Sequence, residues 1–245
     1  MTVMKICVAQ TRPFKGDIQS NIEAHKKFVS HAVQKGAEVI IFPELSLTGY
    51  EPSLAKQLAT GINDSRFDIF QKLSNEKQMT IGVGVPTSAD AGIHITMLLF
   101  QPNKPRQANS KMYLHADEEP FFVSGENLPK LLINNTPVAL AICYEISIPQ
   151  HAEMASSNGA QLYIASVAKT TKGVEKAIVR LSEIAATYGM TVLMSNSIGL
   201  CEDGECGGRS SVWNNKGNLM AQLNDTDEGL LLFDTTTQES TALHS

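Results

Sequence analysis

Cys143 has the sequence context of a cysteine nucleophile. It comes directly after the apolar run 138–142 and directly before Tyr144 and Glu145. If that run is a buried strand, the thiol lies at the strand end, with rigid support behind it and an open cleft in front. A thiol at its ordinary pKa is mostly protonated near neutral pH, so this role also requires a base or a neighbouring cation.

Glu44 and Lys111 are the candidates for those two partners. Glu44 ends the strand-like run 40–44 and is followed by the largely apolar residues 45–50. Apolar surroundings would raise the pKa of its carboxyl group towards the working range of a general base. Lys111 opens a polar segment and offers a positive charge. From spacing alone, a surface glutamate and a solvated loop lysine are the alternatives.

An adjacent pair of carboxylates follows Lys111 in the same segment. Glu118 and Glu119 directly precede Pro120. Since the two side chains are neighbours, we expect one to face inward and the other to face water.

Histidine is the usual base for a catalytic cysteine, but no histidine has a telling context. His151 follows Cys143 most closely, and helical geometry should turn it away from the strand end. We expect a structural or solvent role for each of the six histidines, which are His25, His31, His94, His115, His151 and His244.

Length and composition are those of an ordinary globular protein. The chain has 245 residues, 42% hydrophobic and 18% charged, which suits one α/β domain spanning 1–245. A net charge of -5 without a basic stripe argues against nucleic acid, and no apolar run of about 18 residues suggests a membrane span. The N-terminus resembles a first strand rather than a signal peptide, so we predict a cytoplasmic protein.

The four cysteines do not form a disulfide framework in a chain of this length. Cys7 alternates within the first predicted strand and should be a core residue. Cys201 and Cys206 flank a turn-like stretch, which we interpret as a loop. A disulfide between them and half of a metal site are the alternatives, although two thiols supply too few ligands for structural zinc.

Short apolar runs alternate with helical patterns, which indicates a sheet covered by helices. Residues 210–213 and 219–223 are typical of a hairpin, 229–234 of a last strand, and 235–245 of a polar tail. The predicted strands are 4–10, 37–42, 80–86, 94–101, 137–143, 160–167 and 190–195, and the predicted helices are 20–35, 148–158 and 173–188.

Three separate segments carry a resemblance to a known family. Residues 42–50, 111–114 and 142–145 closely resemble the three motifs of the nitrilase superfamily, the carbon–nitrogen hydrolases. Tyr144 and Glu145 after the cysteine resemble the amidase-like branch, because true nitrilases more often have tryptophan and glutamate there. The three motifs occur in the family's order.

The resemblance implies a four-layer α-β-β-α sandwich with a Glu–Lys–Cys triad and no metal or organic cofactor. Glu44 corresponds to the general base, Lys111 to the cation that stabilises the tetrahedral intermediate, and Cys143 to the nucleophile. Glu119 corresponds to the family's second glutamate. The resemblance also implies that two copies of the chain pair, so we expect a homodimer or a higher homo-oligomer.

The expected reaction is hydrolysis of a non-peptide C–N bond in a small amide. Amidase, omega-amidase and N-carbamoyl amine hydrolase chemistry all suit the triad. The alternatives are a nitrilase acting on a small nitrile, and a non-catalytic or ammonia-supplying relative that binds a small amide. Tyr50, Tyr144, Asn196 and Lys169 are the candidate substrate-binding residues, and Lys169 or Lys172 could meet an acidic end of the substrate.

Overall fold

Two β-sheets lie face to face at the centre of the fold, and the computed structural model describes residues 4–126 and 131–244. The strands within these ranges are β1 (Lys5–Gln10), β2 (Val39–Ile41), β3 (Thr80–Ala89), β4 (Gly92–Phe100), β5 (Gln107–Ser110), β6 (Leu131–Ile133), β7 (Thr136–Ile142), β8 (Leu162–Val167), β9 (Thr191–Asn196), β10 (Ile198–Cys201), β11 (Gly204–Gly207), β12 (Ser211–Trp213), β13 (Leu219–Gln222), β14 (Gly229–Asp234) and β15 (Ser240–His244). The helices are α1 (Ile18–Gln34), α2 (Ala55–Leu58), α3 (Asp68–Lys77), α4 (Pro149–Ser157) and α5 (Thr171–Tyr188), and short 3-10 turns span Pro52–Leu54, Ser65–Phe67 and Cys143–Ser147.

Parallel strands lie at the centre of each sheet. The first sheet has the order β15-β14-β1-β2-β3-β4-β5, and the second has the order β13-β12-β9-β8-β7-β6. Strands β1, β2 and β3 pair in parallel, as do β7, β8 and β9. Because parallel strands end at the same edge of a sheet, the segments that follow β2, β7, β8 and β9 meet at one end of the sandwich.

Alternation along β1 divides its side chains between two core layers. Ile6 and Val8 pack between the sheets, whereas Cys7 packs on the outer face against α1 and α3, so its predicted core position is confirmed. Helices α4 and α5 cover the other sheet, which confirms the predicted four-layer α-β-β-α sandwich. Two serine hydroxyls join the sheets: Ser166 donates to Phe42 O (2.9 Å) and Ser195 donates to Ala9 O (2.6 Å).

The helix ends follow local chemistry. Asp17, rather than Ser20, caps α1 by accepting a hydrogen bond from the Ser20 backbone N–H. Helix α4 begins at Pro149, one residue after the predicted start at 148, since proline needs no N–H partner there. Helix α5 ends at Gly189, whose φ of 66° is readily adopted only by glycine. None of the helices within the described ranges is long and apolar enough to cross a bilayer.

Two predicted irregular segments prove to be strands. The polar tail was expected from 235 onward, but Ser240–His244 pairs antiparallel with β14 as an edge strand. Backbone hydrogen bonds suffice to hold such a strand, so its low apolar content did not reveal it. Cys201 and Cys206 lie on the hairpin β10–β11 rather than in a loop, and both are free thiols.

Candidate active site

Cys143 lies where β7 gives way to the 3-10 turn Cys143–Ser147, at the end of the sandwich where the parallel strands stop. Its φ is 47°, a left-handed conformation that non-glycine residues adopt at a cost of about 1–3 kcal/mol. The strand behind the residue holds this conformation. The turn therefore holds the thiol at the cavity described below, where the side chain remains 8% exposed.

Glu145 links the Cys143 turn to the segment that carries Lys111. Its Oε2 accepts the Ile142 N–H (2.7 Å), and its Oε1 accepts the Met112 N–H (2.6 Å). Burial raises the pKa of this carboxyl group to about 7. The family motif marked Glu145, but only the folded structure reveals that it joins the segments of Lys111 and Cys143 through backbone N–H groups.

Glu44 is buried in the loop after β2, and close packing with β3 positions it. The next residue, Leu45, has a φ of 50°. A Cβ atom at Gly84 of β3 would lie 2.3 Å from the Leu45 nitrogen, so only glycine allows this approach. Burial raises the Glu44 pKa, as predicted from its apolar surroundings, while the charge of Lys111 lowers it in part.

Lys111 is fully buried, with 0% exposure, and binds two carboxylates. Its Nζ donates to Glu44 Oε1 (2.8 Å) and to Glu118 Oε1 (2.6 Å). Burial lowers the Lys111 pKa, but the negative charges of Glu44, Cys143 and Glu118 outweigh it, and the net effect is a raised pKa. The ammonium group therefore stays charged although it is fully buried.

The second glutamate at Lys111 is Glu118, not Glu119. Glu118 is 1% exposed, and its Oε1 also accepts the Tyr50 hydroxyl (3.1 Å). Its Oε2 accepts the His115 backbone N–H (2.8 Å), which holds the carboxylate in place. Glu119 is exposed to solvent. The prediction that one carboxylate of this pair faces inward is confirmed, but the choice of Glu119 was wrong by one residue.

A cavity of ≈ 220 Å³ opens above the thiol. Among the predicted substrate-binding residues, Tyr50, Tyr144 and Lys169 line it. The Cys143 thiol lies close enough to the buried Glu44 carboxyl to influence its pKa. The complete lining is Tyr50, His115, Asp117, Glu118, Cys143, Tyr144, Ala168, Lys169, Thr170, Gly173 and Asp203.

Asn196 lies behind the cavity wall, contrary to the expectation that it contacts substrate. It is 0% exposed, and its Oδ1 accepts the Lys169 N–H (2.8 Å). Its Nδ2 donates to Gly208 O (2.7 Å) and Lys169 O (3.3 Å). Asn196 therefore fixes the backbone of Lys169, because its side chain is fully occupied by backbone groups. Lys172 is exposed on the first turn of α5 and does not line the cavity.

Two histidines lie near these segments without contacting the thiol. His151 is buried, with its Nδ1 2.9 Å from the Tyr163 hydroxyl and its Nε2 3.5 Å from Glu145 Oε2. Burial lowers the His151 pKa to about 4, so it is neutral near pH 7. His115 lies at the cavity mouth, where it pairs with Asp117 (2.6 Å).

The electrostatics of the site oppose ionisation of Cys143 in the resting state. Burial, followed by the negative charge of Glu44, raises the pKa of the thiol to about 11. Lys169 and Lys111 lower it in part. The proton on sulfur therefore needs an acceptor within the site, and the buried Glu44 carboxyl is near enough for its charge to act on the thiol.

The two-sheet sandwich and the cluster of Glu44, Lys111 and Cys143 define the class of protein. Residues 5–244 match the family Carbon-nitrogen hydrolase. The chain therefore belongs to the carbon–nitrogen hydrolases of the nitrilase superfamily.

Curated relatives are similar at low identity. The chain is 24% identical to the glutamine-dependent NAD(+) synthetase of Thermotoga maritima over 81% of this chain and 36% of that protein. It is 22% identical to nitrilase 1 of Arabidopsis thaliana over 74% of this chain and 59% of that protein. The chain thus spans less than two thirds of the length of these relatives.

Solved structures share the fold. A cysteine-to-alanine variant of the amidase from Nesterenkonia sp. AN1, in complex with butyramide, superposes with a TM-score of 0.86. It is 23% identical, and the match covers 96% of this chain and 92% of that one. Another variant of that amidase carries the acetamide moiety of fluoroacetamide on its active-site cysteine and has the same TM-score and identity.

Proposed function

We propose that the protein is an amidase that hydrolyses a small linear amide through a thioester on Cys143. The observation that supports this most directly is the fully buried Lys111, whose Nζ lies 2.8 Å from Glu44 and 2.6 Å from Glu118 beneath the cavity that holds the thiol. Burying three charged groups is costly for stability, which is typical of a site retained for chemistry.

The proposed reaction begins with proton transfer. Glu44 takes the proton from the Cys143 sulfur, and the thiolate attacks the amide carbonyl carbon. The tetrahedral intermediate then breaks its C–N bond, and the leaving amine takes the proton from Glu44. Glu44 next removes a proton from water, and the resulting hydroxide attacks the thioester. The acid product departs, and the thiolate regains its proton from Glu44.

Stabilisation of the oxyanion falls to Lys111 and the backbone N–H of Tyr144. Lys111 is charged, desolvated and held by two carboxylates, so it need not reorganise as negative charge develops. The Tyr144 N–H follows the nucleophile directly, a common position for an oxyanion donor. Glu118 is proposed to orient the Lys111 ammonium group rather than to contact substrate.

Cavity size favours a small substrate. A volume of ≈ 220 Å³ is below the range of about 300–1,000 Å³ typical of drug-sized ligands. Tyr50 and Tyr144 offer aromatic walls, and Lys169 offers a positive charge that an acidic substrate end could meet. Amides of dicarboxylic acids and N-carbamoyl amines therefore belong in the set of substrates to test.

An ammonia-supplying role is the second candidate. Its support is the similarity to the Thermotoga NAD(+) synthetase, of which this chain spans only 36%. In that case the ammonia released from glutamine would pass to a synthetase on another chain. The triad chemistry would be the same, and the preferred acyl group would distinguish the two.

The test combines ammonia release with mass spectrometry of the protein. A panel of aliphatic amides, omega-amides, carbamoyl amines, glutamine and nitriles would be incubated with the wild type, Cys143→Ala and the control Cys201→Ala. We expect ammonia and an acyl adduct on Cys143 with amides, no activity in Cys143→Ala, and full activity in Cys201→Ala. Undiminished hydrolysis by Cys143→Ala would exclude the thioester mechanism, and turnover of nitriles alone would assign a nitrilase.

We also propose that the chain forms a homodimer or a higher homo-oligomer. Exposed apolar side chains support this, since Val179 on α5 is 59% exposed and Leu200 on β10 is 83% exposed. Light scattering should give at least twice the monomer mass of 26.6 kDa. A strictly monomeric mass at micromolar concentration would contradict the proposal.

A further inference from the structure

Lys169 lines the cavity together with the Cys143 thiol, and its backbone is held in place. Its N–H donates to Asn196 Oδ1 (2.8 Å), and its carbonyl oxygen accepts the Gly207 N–H (2.8 Å). These bonds tie the segment after β8 to both β9 and the hairpin β10–β11. A lysine on a flexible loop would have no such support.

The side chain of Lys169 is directed across the first turn of α5. A Cβ atom at Gly173 would lie 3.4 Å from Lys169 Cδ and 3.7 Å from its Cβ, so the aliphatic stem packs against this glycine. Lys169 and Cys143 line the same cavity, and the Cys143 charge acts strongly on the Lys169 pKa, so the ammonium group lies near the sulfur. Lys169 is thus placed beside a reacting atom in the absence of substrate.

The balance of charges in the site indicates what the positive charge of Lys169 does beside the thiol. In the resting site, Lys111 is shared by Glu44 and Glu118. Once the proposed base Glu44 has taken the proton, Lys111 and Glu118 form a neutral pair, and the new thiolate requires a cation of its own. Lys169 is the lysine placed to supply it.

We propose that Lys169 is a second catalytic cation, which lies beside the Cys143 sulfur and stabilises the thiolate formed by proton transfer to Glu44. This proposal rests on the proposed function, since it assumes that Cys143 is the nucleophile. No bond other than S–H is broken in this step, and the proton resides on Glu44. The positive charge of Lys169 offsets the negative charge that appears on sulfur.

The electrostatics of both groups agree with this role. The charge of Cys143 is the largest influence that raises the Lys169 pKa. Conversely, Lys169 opposes the effects of burial and of Glu44 on the Cys143 pKa, and its influence exceeds that of Lys111. The other titratable or charged groups that surround the thiol are Glu118, Tyr50, His115, Asp117, Asp203 and Cys206.

The test is the pH dependence of Cys143 alkylation by neutral iodoacetamide, followed by peptide mass spectrometry. Lys169→Met keeps an aliphatic stem without the charge, and Lys172→Met removes an exposed lysine three residues away as a control. We expect Lys169→Met to move the alkylation midpoint upward by about one pH unit and to slow the reaction about tenfold at pH 7. The pH profile of kcat/KM should move in the same direction, while Lys172→Met should match the wild type.

Anionic iodoacetate separates this role from a purely substrate-binding one. If Lys169 only binds a substrate carboxylate, Lys169→Met will slow iodoacetate and leave the iodoacetamide profile unchanged, which would overturn the proposal. Lys169→Gln provides a second variant if Lys169→Met folds poorly. Failure of the proposed function itself would appear differently, as a wild type that hydrolyses no amide.

Discussion

The loop 43–49 directs Glu44 towards the space between the sheets and Ser46 towards the outer helix layer, and the buried polar clusters on its two sides differ in charge. The charged cluster consists of Glu44, Lys111 and Glu118, and the neutral cluster consists of Asn21, His25 and Ser46.

The neutral cluster has a partner for each of its polar side-chain atoms. His25 Nδ1 lies 2.7 Å from Asn21 O, and its Nε2 lies 2.9 Å from Ser46 Oγ. Asn21 Nδ2 donates to Leu47 O (3.0 Å), which ties α1 to the loop. The imidazole also stacks on Phe42, with ring centroids 3.9 Å apart.

The charged cluster, by contrast, leaves one oxygen available. Glu44 Oε2 is buried and has no conventional hydrogen-bond partner among the residues that the structure describes. An unpaired buried acceptor costs about 1–3 kcal/mol. The neutral side of the loop therefore stabilises it, while the charged side leaves a buried acceptor unpaired, as the proposed proton transfer from Cys143 requires.

Removing the Lys111 ammonium group from the charged cluster should have the largest effect on stability and activity. In Lys111→Met, two buried carboxylates lose their partner, and we expect unfolding free energy to fall by about 3–5 kcal/mol. Amide hydrolysis should fall by at least roughly 10²- to 10³-fold, the usual loss for one oxyanion donor. Urea unfolding and ammonia release measure the two effects.

A double variant sharpens this prediction. Lys111→Met combined with Glu118→Gln removes one of the stranded charges, so it should recover part of the stability but none of the activity. If Lys111→Met alone were as stable as the wild type, the charged cluster would not be the ion-paired network described above.

The second prediction concerns the adjacent glutamates. Glu118→Gln should reduce kcat by roughly 10²-fold, because a misplaced Lys111 no longer faces the developing oxyanion. Glu119→Gln is the matched control and should retain full activity, since its side chain faces solvent. Equal losses in the two variants would contradict the assignment of Glu118.

The sequence could not distinguish the buried glutamate of this pair from the exposed one. Glu44 and Cys143 could be placed at the ends of strands, because apolar runs locate those ends. Lys111 was found because it lies in a family motif, as the other two do. Glu118 and Glu119 lie in an irregular segment, where no periodicity distinguishes the inner side chain from the outer one. The fold resolves them because the Tyr50 hydroxyl and the His115 N–H both point at Glu118.

The structural roles of Asn196 and Gly84 could not be predicted from the sequence for a related reason. The sequence suggested Asn196 as a substrate-binding residue, but it did not indicate which neighbouring groups the Asn196 amide would bind. In the sequence, a glycine such as Gly84 only weakens a strand. Its role is visible in the fold, where a Cβ atom at this position would lie 2.3 Å from the Leu45 nitrogen of loop 43–49. Such roles depend on contacts between segments far apart in the chain, which local patterns do not encode.

The third prediction tests the neutral side of the loop. Ser46→Ala leaves His25 Nε2 and the Gly84 N–H (3.2 Å from Ser46 Oγ) without this partner. We expect a loss of about 2 kcal/mol in unfolding free energy. Activity should fall less than tenfold, since Leu47 N–H still donates to Gly84 O (2.9 Å). A complete loss of activity with unchanged stability would contradict the division between the clusters.

The fourth prediction concerns how stability depends on pH. Burial lowers the pKa of His25 to about 3, from 6.5 in a solvated histidine. Between these values the unfolded chain binds the proton and the folded chain does not. The stabilising contribution is therefore fully present above pH 6.5 and declines as the pH falls, by up to about 1.4 kcal/mol per pH unit.

In His25→Gln this decline should be absent, so the unfolding free energy should depend less steeply on pH between 6.5 and 4.5. Urea unfolding at several pH values measures the slope, and His31→Gln on the same helix serves as the control. The charged cluster cannot produce the same signature, because Glu44 and Lys111 both have a raised pKa, and a raised pKa makes stability decline as the pH rises rather than as it falls. An unchanged slope in His25→Gln would mean that the neutral cluster accepts a proton, and the contrast between the two sides of the loop would then fail.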